Sequence, residues 1–426
     1  MSYEPFRRAN MTRACQPYPS TSGTVQHSPG GASSQKGRPL ADSHVREVGE
    51  PLLGPVVEAK RRFYEPELDC LRFAAFLAVF VFHARYFLRS ALPAVLGSTI
   101  NVVAGAGAFG VDIFFVLSAY LITELLLRER AKTGDLNVGA FYLRRILRIW
   151  PLYFFFLGIS FLLPFFDPSQ QFGWKYLTGF SLLAGNWIVI LLGVPASMAN
   201  PLWSVSMEEQ FYLCWPPLVK RLSMRGIVFS AGVMLTMANL TRLLLYLFVD
   251  PKNQSIWFNT ITRLDPIALG ILLAVLLHTK RIEVRGFERP LMFGICCLGL
   301  LVVSRYGALT WNLYRFSLVG VFAYPTMALS CFGIVAATVG MHSRLTQNAG
   351  LIYLGKISYG LYVYHLLGSW IAERLFGRLH GHLEGVVLLV ASLCFTVALA
   401  AASYRFLESP FLELKKRFTY VPSRPV

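Results

Sequence analysis

Along this chain, apolar stretches of one recurring size alternate with short polar and basic loops. They lie near 68–88, 105–127, 149–166, 203–219, 226–249, 264–279, 290–304, 316–341, 351–372 and 386–406. Each is close to the roughly 20 residues that a helix needs to cross a bilayer. A further stretch, 176–194, is ambiguous. The pattern predicts an all-α polytopic membrane protein of about ten transmembrane helices. Residues 1–62 lack an apolar core region and are rich in Ser, Gly, Pro and charge, which predicts a disordered cytoplasmic tail with no cleaved signal. A short C-terminal tail, 419–426, follows the last helical segment.

Composition changes the picture in one respect. The 426 residues are 55% hydrophobic and only 15% charged, where soluble domains carry about 25% charge, so the bilayer is the solvent for most of the fold. The formal charge of +17 would suggest a nucleic-acid partner in a soluble protein. Here it follows topology, and no nucleic acid is expected. Arg128, Arg130, Lys132, Arg144, Arg145 and Arg148 crowd the loop after the second stretch, whereas the loop after the first holds Arg89. By the positive-inside rule the amino terminus is then cytoplasmic. Lys220, Arg221 and Arg225 also fall inside only if 176–202 does not cross. That stretch is read as re-entrant or lying at the outer interface, which leaves both termini cytoplasmic. Lys280, Arg281, Arg285, Arg289, Arg344 and Lys415–Arg417 follow the same rule. The seven cysteines show no paired or metal-binding spacing, and no metal site is expected. His380 and His382 are read as loop.

Ionisable groups inside spans are expensive and mark functional candidates. In the first stretch Arg72 and His83 are eleven residues apart, about 1100° of helix, so they share one face about 16 Å apart along the axis. Arg72 alone would be a snorkelling anchor and His83 alone a buried hydrogen-bonded histidine. Together they suggest a cation and a titratable base in one cavity. Asp112 could orient a histidine or simply pair with an arginine. Arg145 and Arg148 are three residues apart, share a face, and present forks suited to phosphate; the plain alternative is a stop-transfer basic cluster. Glu208 and Glu209 point about 100° apart on a helix, so one is expected in the cavity and the other at the interface. Tyr212, Arg263, Asp265, Ser358, Tyr359 and His365 are secondary candidates, His365 being the one most readily explained as a structural hydrogen-bonder.

In order, Glu67-Leu-Asp69-Cys-Leu-Arg72 with His83, Gly110-Val-Asp112-Ile-Phe-Phe-Val-Leu-Ser118, Arg145-x-x-Arg148, Trp203-Ser-Val-Ser-Met-Glu208-Glu209-Gln-Phe-Tyr212, Leu354-Gly-Lys-Ile-Ser358-Tyr359 with His365, and Tyr404-Arg-Phe-Leu-Glu408-Ser-Pro410 resemble the acyltransferase 3 family. Its members are integral membrane, acyl-CoA-dependent O-acyltransferases. The resemblance covers nearly all of 64–418 and implies a membrane acyltransferase domain over 63–418. Cys70 stands where the family usually has glycine, and Ala119 replaces the usual glycine after Ser118. With the chain ending soon after the last span, no fused extracytoplasmic SGNH-type domain is expected.

The resemblance implies transfer of an acyl group, acetyl being the expected one, from cytosolic acyl-CoA to a hydroxyl of a carbohydrate or glycoconjugate. Acyl-CoA would serve as co-substrate, with no bound cofactor, in a multi-pass protein of the bacterial inner or plasma membrane. Arg72, Arg145 and Arg148 would hold the phosphates of acyl-CoA, and His83 would act as general base. Glu208 or Asp112 would orient the acceptor or the imidazole. A histidine-linked acyl intermediate competes with direct transfer. The acceptor could be a surface polysaccharide, a lipid-linked sugar or a secondary metabolite. A secondary transporter of a sugar-linked or anionic substrate would also place charges along a path, and a membrane-anchored scaffold is a third class. Neither the acceptor nor the oligomeric state is legible in the chain.

Overall fold

The computed structural model describes residues 64–249, 251–279, 286–307, 316–378 and 382–420. The tail 1–62, Lys280, Arg281, Arg285, His380 and the end of the C-terminal tail lie outside the described residues. Among those residues the secondary structure is helical, as a bilayer requires: with no water to satisfy backbone groups, each span must close its own hydrogen bonds.

The elements, in chain order, are α1 Pro66–His83, α2 Arg85–Ala91, α3 Gly97–Gly107, α4 Gly110–Thr133, α5 Val138–Leu162, α6 Trp174–Ser181, α7 Gly185–Leu192, α8 Leu202–Arg221, α9 Met224–Phe248, α10 Leu264–His278, α11 Glu288–Tyr306, α12 Leu318–Thr338, α13 Ala349–Lys356, α14 Ser358–Phe376, α15 His382–Ser403 and α16 Ser409–Lys415. Local sequence sets several starts. Asn137, Ser223 and Asn348 each accept a hydrogen bond from the backbone N–H three residues on, satisfying donors the helix leaves open. Gly134, at φ 76°, ends α4 in the left-handed conformation that glycine adopts without strain.

By length and composition seven helical stretches can cross a membrane, or eight when the bent pair α1 and α2 counts as one. Two of the ten predicted stretches fall outside that set. They correspond to α8 and α14, which carry Glu208, Glu209 and His365 and are buried along much of their length. The ambiguous stretch forms α6 and α7, eight residues each and about 12 Å long at 1.5 Å per residue, so neither alone reaches across the hydrocarbon. The first stretch is not one straight helix. It breaks after His83 and turns by 68° into α2, which lies against α15 where Gly385 leaves room for the Phe87 carbonyl.

The outer faces of α9 and α11 expose Phe229, Leu247, Leu291 and Leu298, a surface that suits lipid. The interior lies between α1, α4, α5, α8 and α14. There α13 presses on α1 so closely that a methyl group on Gly355 would lie 1.8 Å from the Asp69 carbonyl oxygen. Close backbone approach through small residues is how membrane helices gain packing without a hydrophobic drive. Gly355→Ala is therefore expected to push α13 off α1, at a cost of about 1–3 kcal/mol, and to lower both the monodisperse yield in detergent and the thermal midpoint. An unchanged midpoint would show that the contact does not constrain the fold.

Outside the spans, the Asp167 carboxylate accepts hydrogen bonds from Trp370 Nε1 at 2.7 Å and from Ser169, and pairs with Arg374 Nη2 at 2.6 Å. The Trp370, Arg374 and Ser169 donors hold this carboxyl well below the usual carboxylate range. Because the folded state depresses the pKa, the tie is at full strength above the ordinary aspartate value of about 3.9 and weakens as pH falls below it. Asp167→Asn is expected to lower the thermal midpoint at pH 7. The gap to the parent chain should narrow only below about pH 4; a gap that already closes at pH 6 would contradict this assignment.

Candidate active site

Three adjoining cavities run through the interior. The outer one is walled by Tyr64, Asp69, Phe141, Arg144 and the C-terminal Lys415 and Tyr420, among others, together with Arg72, Ser118, Arg145 and Arg148. These last four residues also line the middle cavity, with Glu208, Tyr212, Ser204, Ser358, Tyr359 and Tyr362. Val111 and Tyr362 are shared in turn with the inner cavity, where His83 sits among Phe82, Trp203, Trp257 and Phe258. Arg72 and His83 therefore do not share the one cavity that their spacing suggested: Arg72 lines the outer and middle cavities and His83 the inner one, which adjoins the middle cavity through Val111 and Tyr362.

The guanidinium cluster is built from α1 and α5. Arg72 donates to Asp69 Oδ1 at 3.1 Å. Arg144, which also walls the outer cavity, is engaged by Glu129 at 2.7 Å and by the Phe418 carbonyl. Arg145 stacks on Phe141 and Tyr212, at 5.5 and 5.2 Å from the ring centroids. Neither Arg145 nor Arg148 has a carboxylate within ion-pair distance among the described residues. Two guanidinium groups beside a cavity and without an ion-paired carboxylate have the chemistry to hold an anion.

Helix α8 contributes a row at four-residue spacing, Ser204, Glu208 and Tyr212, which puts all three on one face. Glu208 Oε1 accepts from Ser118 Oγ at 2.9 Å and Oε2 from Tyr212 Oη at 2.8 Å. Ser204 Oγ and Tyr362 Oη are 2.7 Å apart. Glu209 turns the other way, but not to the interface: it is buried and accepts from Trp150 Nε1 on α5 at 3.1 Å. Tyr359 donates to the Ile149 carbonyl at 3.1 Å, which fixes α14 against α5.

Asp112, Glu208 and His83 do not form a triad. Asp112 and Arg263 are both fully buried and are paired at 2.7 Å; the ion pair, rather than contact with a histidine, is the arrangement present. Asp265 likewise binds Arg242 through both oxygens, at 2.9 and 2.6 Å, and both arginines pack on Tyr324. Arg263 and Asp265 thus belong to a buried ionic layer joining α4, α9, α10 and α12, and neither lines the three cavities. A buried pair of this kind is costly to break from one side, so its members hold helices together. Among the described residues no three His, Cys, Asp or Glu side chains converge as a metal site would require.

Ser118, Ser204, Tyr362, Arg242 and the C-terminal Lys415 and Tyr420 were not singled out as site residues from the sequence. For Ser118 a signal existed. Six residues after Asp112, it lies about 240° around the helix, so when Asp112 faces α10 the serine faces the cavity. Ser204 could have been found by its four-residue spacing from Glu208. Nothing in the sequence pattern brings Lys415 and Tyr420 to the outer cavity; that contact is tertiary.

A helical membrane protein with arginine-lined cavities adjoining a histidine-lined one is the class these observations define. A family model described as an acyltransferase domain matches residues 65–405, and the chain belongs to the acyltransferase 3 family. It is similar to a Staphylococcus aureus (strain MRSA252) protein named "Putative O-acetyltransferase SAR0937", at 26% identity over 391 residues, covering 85% of this chain and 60% of that one. It is also similar to "O-acetyltransferase OatA" of Staphylococcus aureus (strain NCTC 8325 / PS 47), at 24% identity over 387 residues, with 85% and 59% covered. The chain thus spans about 60% of the length of these relatives. No solved structure matches it.

Proposed function

We propose that the chain is a membrane O-acyltransferase that moves an acyl group, acetyl in the first instance, from cytosolic acyl-CoA to a hydroxyl of a carbohydrate or glycoconjugate. In this reading ten spans place both termini in the cytoplasm, and the outer cavity opens there. The observation that carries the proposal is the row of adjoining cavities, with Arg72, Arg145 and Arg148 lining the first two and His83 the third. The arginines bind the donor's phosphates, and the thin pantetheine arm follows the route inward.

At its end the neutral His83 imidazole takes the acceptor's hydroxyl proton as that oxygen attacks the thioester carbonyl. The carbon–sulfur bond then breaks, an ester remains on the acceptor, and the departing thiolate takes the proton back from the imidazolium. Glu208, held by Ser118 and Tyr212, lines the middle cavity and positions the acceptor. Asp112 serves as the counter-ion of Arg263.

The test is to incubate purified protein in vesicles with labelled acetyl-CoA and a panel of soluble and lipid-linked saccharides. The expected result is free CoA together with label on an acceptor. Flux of an acceptor across vesicles with no consumption of acetyl-CoA would replace this reading with that of a transporter.

A further inference from the structure

The His83 imidazole has a second imidazole against it. His365, fully buried on α14, places Nε2 at 3.2 Å from His83 Nδ1, with the ring centroids 4.8 Å apart. Each ring also meets a helix carbonyl. His365 Nδ1 is 2.6 Å from the Tyr362 oxygen, and His83 Nδ1 is 3.0 Å from the Val79 oxygen.

Hydrogen-bond valence fixes the protons. A carbonyl oxygen accepts only, so each Nδ1 must carry a hydrogen. A neutral His365 then has its lone pair on Nε2, where it accepts from His83 Nδ1–H, a donor shared with Val79. A charged His365 would instead aim a second N–H at the N–H of His83, so the neutral form is the one that fits. What is left is the His83 lone pair on Nε2. That nitrogen has no hydrogen-bond partner among the described residues, and the His83 ring lines the inner cavity.

In familiar serine hydrolases a carboxylate orients the catalytic imidazole. Here the nearby acids are engaged elsewhere: Asp112 by Arg263, and Glu208 by Ser118 and Tyr212. In the apolar setting of Phe76 and Phe82, a neutral acceptor also avoids the cost of burying a second charge.

We propose that His365 is a positioning residue: it holds His83 as the Nδ1–H tautomer with Nε2 as the basic atom, and accepts the hydrogen bond that strengthens as His83 becomes imidazolium. The inference rests on the reading of His83 as the proton acceptor. When the acceptor hydroxyl gives its proton to Nε2, the positive charge spreads to Nδ1–H, which already has two acceptors aligned.

Two measurements test this. In the full-length chain labelled with 15N-histidine, the signal lost in His83→Ala assigns the ring among the 8 histidines of the sequence. The expected shifts are pyrrole-like for Nδ1 and pyridine-like for Nε2; the opposite pattern overturns the proposal whatever the activity. The second measurement uses release of free CoA from acetyl-CoA with chitotetraose as acceptor probe. His365→Leu is expected to lower kcat about 10- to 100-fold, the range typical of outer-shell orienting partners, with KM for acetyl-CoA unchanged. His365→Gln, whose amide oxygen can accept from Nδ1–H, should recover at least tenfold of that loss. Unchanged kcat in His365→Leu, or no recovery in His365→Gln, overturns the role of His365. Full activity in His83→Ala overturns instead the reading of His83 on which the inference rests.

Discussion

His83→Ala, purified and returned to vesicles, is expected to lose acyl transfer by about 100- to 10,000-fold, the usual worth of a positioned general base, with little change in apparent affinity for acyl-CoA. His83 lines the inner cavity and the arginines the other two, so in the proposed mechanism its loss removes the proton transfer and leaves the donor's anchor intact. Truncation at the last residue of α1 also spares the close backbone contact with α13, which lies at Asp69 in the first turn of the helix. The check is kcat and KM measured together, with membrane insertion and monodispersity confirmed. Near-parental kcat would remove His83 from the chemistry.

The arginine cluster gives the second large effect, in the opposite parameter. With Arg145 and Arg148 both replaced by Gln, KM for acyl-CoA is expected to rise about 100-fold or more, since each hydrogen bond to a charged group contributes about 1.5–3 kcal/mol. The value of kcat at saturation should change far less. Replacement by Lys should recover part of the affinity, because charge is kept while the bidentate fork is lost. The effect should also weaken at high salt. An unchanged KM in the Gln variant would mean that the two cations serve topology alone.

These two variants draw on different kinds of information. The membrane fold and the helical periodicity were legible along the chain, because the period of a helix and the cost of charge in hydrocarbon are local rules; that Arg72 and His83 line different cavities was not. So was the opposite facing of Glu208 and Glu209, since adjacent residues on a helix diverge by about 100°. Where Glu209 ends was not legible: it meets Trp150 rather than the interface, and that depends on how α8 leans on α5.

Other points were decided only by the tertiary arrangement. Asp112 sits six residues before Ser118 on one helix, yet its partner Arg263 lies 151 residues away in sequence, and no periodicity chooses that partner over His83. The 68° turn after His83 interrupts a stretch whose apolar pattern is continuous, because α2 packs on α15. His365 was legible as a buried histidine, but its place beside His83, 282 residues away in sequence, follows from the packing of α14 against α1. The sequence by itself determined that the chain is helical and built for a bilayer and which residues share a helical face, since those follow from backbone geometry and the solvent around a span. Only the tertiary structure decided which faces meet, because partner choice among buried polar groups depends on contacts between segments far apart in the chain.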